Sequence, residues 1–239
     1  MKVLALESSA KAVSVAVCEN GMVLAQGYQN TGLTHSVTMM PLLENMLEKA
    51  SIKLEDCDII AVAAGPGSFT GLRIGVSAAK GLAWALDKPC CGVSTLEAMA
   101  ENGRSFEGTV ICAMDARRQQ IYNAIFTCHE GQLTRRCEDR AVALEVVAEE
   151  LKNDPAAKLV LGDGAALCWE YLNSHGVPCR MAPPQIRFQQ AAGVALVAQR
   201  MAEEGRTVSA QELTPTYLRL SQAERERLEK GLPLTVEGK

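Results

Sequence analysis

A chain of 239 residues, 48% hydrophobic and 22% charged, is long enough to bury a sizeable core, and none of its apolar runs approaches the ~18–20 residues that a membrane span needs. Its 24 Lys and Arg against 28 Asp and Glu leave a net charge of −4, which argues against a protein that grips RNA alone through a basic surface. Nine cysteines (Cys18, Cys57, Cys90, Cys91, Cys112, Cys128, Cys137, Cys168 and Cys179) form no CxxC, are odd in number and sit in apolar stretches, so they read as reduced core residues of a cytoplasmic protein.

In chain order, "KVLALE" at 2–7 and "AVSVAVC" at 12–18 read as strands rather than as a secretory leader, and Asn20-Gly21 signals a hairpin into "MVLAQGYQ". A helix over 34–50, the apolar strand "IIAVAAG" at 59–65, a helix over 70–86, a short strand at 90–93 and a helix from Thr95 complete the order βββαβα. Strands at 109–115, 119–128 and 131–137, a helix over 144–152, a strand at 158–162 and a helix from Ala165 repeat it. The duplication predicts an α/β protein of two mixed-sheet lobes facing one another across a cleft, with residues 1–105 and 106–186 as the lobes. Residues 187–239 form a returning helix (189–204) and a charged, proline-punctuated tail with a short helix.

The stretch "GPGSFTGLRIG" follows the 59–65 strand. Gly65, Gly67 and Gly71 permit sharp turns, Pro66 stops the strand, and Ser68 or Thr70 can cap the next helix. Exposed amides across Gly65, Gly67, Ser68, Phe69, Thr70 and Gly71 would suit an anion, but the spacing is neither GxxxxGK[ST] nor GxGxxG, and a tight structural turn or a protein contact answers the same residues.

Together with "LALESSA", "GVSTL" at 92–96, "MDARRQQIY" at 114–122 and "PTYLR" at 215–219, this loop resembles the TsaB (YeaZ) family of the bacterial tRNA threonylcarbamoyladenosine machinery, through nearly the whole chain and in the same order. The resemblance implies an actin-like ATPase (ribonuclease H-like) fold. It also implies that chemistry resides in the paralogue TsaD, whose two metal-binding histidines correspond here to Thr95 and Met99, a hydroxyl and a thioether that are poor ligands for such an ion. No metal, cofactor or catalytic residue is therefore expected in this chain. Where actin-like ATPases carry DxG[TS] to hold magnesium and phosphate, this sequence reads Glu7-Ser8-Ser9-Ala10; "LGDGAAL" at 161–167 resembles the adenosine-side turn, or is a strand-to-helix turn capped by Asp163.

Two surfaces read as candidates for a partner. On the 34–50 helix, apolar residues including Met39, Leu42 and Met46 spread over roughly 160°, wider than the ~100° stripe that faces a core, although a helix buried on two sides would look the same. The 70–86 helix is small and apolar except for one line, Arg73, Ser77, Lys80 and Trp84, readable as an interface or as the rim of the core. The resemblance implies that these helices form a homodimer in the chain alone or a heterodimer with TsaD, that TsaE joins the assembly, that TsaC supplies the activated intermediate, and that tRNA is met only through the complex. The expected role is a non-catalytic scaffold; the competing readings are a weak nucleotide-binding ATPase and a glycoprotease-type peptidase.

Overall fold

The computed structural model describes residues 1–117, 119–220 and 227. Strands β1 (Lys2–Glu7), β2 (Val13–Glu19), β3 (Met22–Gln29), β4 (Ile59–Gly65) and β5 (Cys90–Ser94) form one sheet in the order β3-β2-β1-β4-β5. The hairpin strands pair antiparallel, with Lys2 opposite Glu19 and Glu7 opposite Ser14, whereas β1, β4 and β5 run parallel. β4 is buried at every position and β1 at all but its first, which explains their unbroken apolar sequence: both faces of the sheet are covered.

The second sheet contains β6 (Gly108–Asp115), β7 (Gln120–His129), β8 (Gln132–Arg135), β9 (Arg140–Ala143), β10 (Lys158–Leu161) and β11 (Arg180–Met181). Read from its other edge, its order β8-β7-β6-β10-β11 repeats the third-second-first-fourth-fifth arrangement of the first, with β9 paired to β7 off that path. Asn20-Gly21 and Glu130-Gly131 make matching left-handed turns in the two lobes. The third strand expected at 131–137 is the shorter β8, which pairs with the end of β7, while β9, beyond that span, pairs with its beginning. The short elements β9, β11 and α6 (Pro184–Arg187) are additions to the sequence reading.

Helices α1 (His35–Ala50) and α2 (Phe69–Leu86) close the outer face of the first sheet over a core that includes Leu4, Leu6, Leu43 and Val62. Helices α4 (Leu144–Leu151) and α5 (Ala165–Ser174) do the same for the second. The inner layer is shared. α7 (Ala191–Glu203) buries Val194 and Val197 on the first sheet, while α3 (Thr95–Ala100) sends Leu96 and Met99 into the core of the second. Met99, at the position compared above with a metal ligand, is thus a fully buried core side chain, as is Thr95. Among the described residues no helix is long and apolar enough to cross a membrane. The expected short helix in the tail falls largely outside the described residues.

Candidate functional site

The glycine loop is packed against its own chain. A side chain at Gly71 would overlap the carbonyl oxygen of Ser8, one at Gly67 that of Ser9, and one at Gly65, whose φ is +136°, that of Thr216. Close approach, rather than flexibility, is what these glycines provide. Ser68 N–H donates to Ser9 O (2.6 Å), the Ser68 hydroxyl caps α2 by accepting from Gly71 N (3.3 Å), and the Ser8 hydroxyl donates to Gly71 O (2.9 Å). The amides of Ser68 and Gly71 are therefore already used within the protein.

Between the lobes lies a cleft of about 600 Å³, bounded by Ser9, Lys11 and Thr70 on one side and by Asp115, Arg117, Tyr122 and Asp163 on the other. Glu7, two residues before Ser9 of this wall, is fully buried. One carboxylate oxygen accepts from Ser9 N (2.6 Å) and the other has no hydrogen-bond partner. Burial raises its pKa to about 7, with the charge of Asp163 adding to the effect. Asp163 is also raised, chiefly by burial, and accepts from Gln189 Nε2 (3.1 Å), whose own amide oxygen is buried and unpartnered. Asp163 does not cap α5: the cap position is Gly164 and no side chain bonds there. Gly162 N and Gly164 N donate to Arg187 O (2.7 Å) and Ala113 O (3.0 Å), so this turn too is tied into the fold. Arg117 sits at φ +63°, its N–H held by Asp115 (2.7 Å).

The polar line on α2 divides into two pairs. Lys80 is half-buried and donates to Gln211 O (3.1 Å) and Leu213 O (3.0 Å), which makes it an anchor for the C-terminal segment rather than the free interface cation read from the sequence. Arg73 lies over the Phe69 ring (4.1 Å to its centroid) and donates from Nε to the Tyr217 hydroxyl (3.2 Å). Ser77 is exposed, and Trp84 is 74% exposed, far more than an indole accepts without reason. On α1 the sequence reading needs a larger correction. Met39 and Met46 are 1% and 7% exposed within the first-lobe core, and Leu42 is half-buried against Gly27. The broad arc arises because the helix packs on both the sheet and α2, so its centre is interior. The exposed large apolar residues near this helix lie outside the arc: Val37 (62% exposed) and, before the helix, Leu33. An apolar groove of about 540 Å³ runs between α1 and α2, floored by Met40, Ile74 and Ala78 and edged by Phe69, Arg73 and Ser77.

Sequence reasoning missed the strap that meets these features. Residues 214–220 pass the glycine loop, with Thr216 N donating to Ala64 O (2.7 Å) and Tyr217 stacked on Phe69 (4.4 Å, 24° between planes). Arg219 then donates to Ala116 O on the opposite lobe. The "PTYLR" stretch had been noticed as a motif, but nothing local discloses contacts to residues more than 100 positions away. Arg135 and Arg136 are paired with carboxylates, Arg135 with Asp139 and Glu97 and Arg136 with Asp154, which leaves neither as a free cation for an RNA backbone.

The profile of the family described as "TsaD: tRNA N6-adenosine threonylcarbamoyltransferase" matches residues 29–226. The tRNA threonylcarbamoyladenosine biosynthesis protein TsaB of Bacillus subtilis (strain 168) is 34% identical over 233 residues, 96% of this chain and 99% of that protein. Among solved structures, YeaZ from Pseudomonas aeruginosa superposes with a TM-score of 0.77 at 28% identity, covering 91% of this chain and 99% of that one. Component A of (R)-2-hydroxyglutaryl-CoA dehydratase from Acidaminococcus fermentans, at 14% identity, 85% and 99% coverage and a TM-score of 0.51, shares the fold alone. These matches agree with an actin-like α/β fold of two lobes.

Proposed function

Because the chain belongs to the TsaB (YeaZ) family and so acts in tRNA threonylcarbamoyladenosine biosynthesis, we propose that it is a non-catalytic subunit that binds TsaD and holds it in an active conformation. The observation that carries this reading is the use made of the glycine loop. In a phosphate site the loop amides stay free for the ligand; here those of Ser68 and Gly71 are bonded within the chain and the glycines admit neighbouring backbone. The loop's work is to seat α2 against the turn after β1, and α2 carries the exposed Trp84 and one wall of the apolar groove. Aromatic anchors beside an apolar groove are the usual core of a protein interface.

On this proposal the face made by Val37, Met40, Ile74, Ser77 and Trp84 receives the matching helices of TsaD, or of a second copy when the chain is alone. TsaE joins the assembly, TsaC supplies the activated threonylcarbamoyl intermediate, and tRNA is bound through the complex. The rival reading, a nucleotide-binding ATPase, draws on the open cleft beside Ser9, Lys11 and Thr70. Calorimetric titration of the purified chain with ATP and magnesium separates the two. The scaffold reading expects no binding tighter than millimolar in the absence of partners, and sub-micromolar binding by the isolated chain contradicts it.

A further inference from the structure

We propose that residues 214–220 act as a strap that couples the α1–α2 groove to the cleft between the lobes, with Tyr217 as its positioning residue. This deepens the partner-binding reading above and rests on it for the identity of the groove's occupant. Three observations carry it. The strap is fixed at both ends, by Thr216 N to Ala64 O in the first lobe and by Arg219 to Ala116 O in the second. Its middle residue stacks on Phe69, and Phe69 and Thr70 line the cleft and the groove at once. Arg73, on the groove's edge, is held over Phe69 and bonded to the Tyr217 hydroxyl, so its orientation depends on where the strap lies. A body seated in the groove presses on Phe69 and Arg73. Through Tyr217 that displacement reaches Arg219 and, by its bond to Ala116 O, Asp115 to Arg117 at the far wall of the cleft. Contacts of this kind form the contiguous packed path along which two sites can bias one another.

The coupling is tested in the full-length chain by amide hydrogen exchange, cutting the strap at the end remote from the groove. Arg219→Ala removes the second-lobe anchor, the bond to Ala116 O. The proposal expects exchange at Leu72, whose amide bonds to Ser68 O in the first turn of α2, to accelerate about tenfold together with that of Thr216, and Arg219→Lys, which keeps a donor, to restore most of the protection. Acceleration confined to 115–120 and 216–220, with Leu72 unchanged, overturns it. Tyr217→Phe provides a second cut should Arg219→Ala prove unstable: the stack remains, the Arg73 bond is lost, and exchange at Arg73 should rise without a change at Ala116. Added TsaD should slow exchange at Ala116 and Gln120 in the wild-type chain but not in Arg219→Ala. If TsaD fails to bind the wild-type chain, the partner reading falls, while the exchange results for the free chain still decide the strap.

Discussion

The carboxyl groups of Glu7 and Asp163, one from each lobe, lie within electrostatic range of one another, and after burial itself this neighbour helps to hold Glu7 protonated up to about pH 7. A carboxyl whose folded pKa exceeds its unfolded value stabilises the protein below the unfolded value and loses that contribution as pH rises through the folded one. Stability should therefore fall between about pH 4.5 and pH 8, and Glu7→Gln should remove this slope. At pH 8 the variant is expected to exceed the wild-type chain by on the order of 3 kcal/mol, with the difference vanishing below about pH 4.5. Urea unfolding at a series of pH values checks this; parallel pH profiles for the two proteins contradict it.

Met46 and Trp84 should respond in opposite ways to charge. Met46→Lys buries an ammonium group in the first-lobe core, where Met46 is 7% exposed, and is expected to cost more than about 3 kcal/mol. Trp84→Glu changes a solvent-facing residue and should stay within about 0.5 kcal/mol of wild type. Melting curves for the pair test the assignment of the α1 arc to the interior.

Gly71→Ala brings a methyl group into the Ser8 carbonyl oxygen, which is backbone and cannot swing aside. The expected loss is about 2–4 kcal/mol, accompanied by a shift of the first turn of α2 that weakens association through its face. An alanine variant as stable as wild type would show that α2 does not depend on this close approach.

Arg135 joins the halves of the molecule: it bonds Asp139 (2.6 Å) in its own lobe and Glu97 (3.1 Å) on α3, while Arg200 on α7 reaches Glu101 (2.7 Å) in the same ion-pair chain. Arg135→Ala leaves Asp139 with the Ser94 hydroxyl but no cation, and removes a cation from the Phe126 ring. A loss of about 2–3 kcal/mol is expected, and Arg135→Lys should recover only part of it because an ammonium lacks the planar fork that presents separate N–H groups to Asp139 and Glu97.

The repeated strand order was legible because β1 and β4 are unbroken apolar runs and Asn20-Gly21 fixes the first hairpin. The break between β8 and β9 was not, since it depends on Arg135 folding back onto Asp139 and across to Glu97 on another element. Periodicity measured the angular width of the α1 arc but not which part of it meets the sheet, and so Met39 and Met46 were read as surface. Likewise the spacing of Arg73, Ser77, Lys80 and Trp84 defined a helix face, while the partners of Lys80 and Arg73 lie 131 and 144 positions along the chain. Such pairings exist only after folding, which is why the strap and the approach of Glu7 to Asp163 escaped the sequence reading.

Formation of threonylcarbamoyladenosine on tRNA by TsaD, with the remaining components present and this chain added as wild type or as Trp84→Glu, tests the central claim most directly. The account predicts that the wild-type chain is required, that Trp84→Glu melts like wild type yet fails to sediment with TsaD, and that product formation falls at least about tenfold, the consequence of losing roughly 1.4 kcal/mol or more of association at a limiting concentration. Full activity and unchanged co-sedimentation with Trp84→Glu would contradict it, placing the contact with TsaD away from the α1–α2 face.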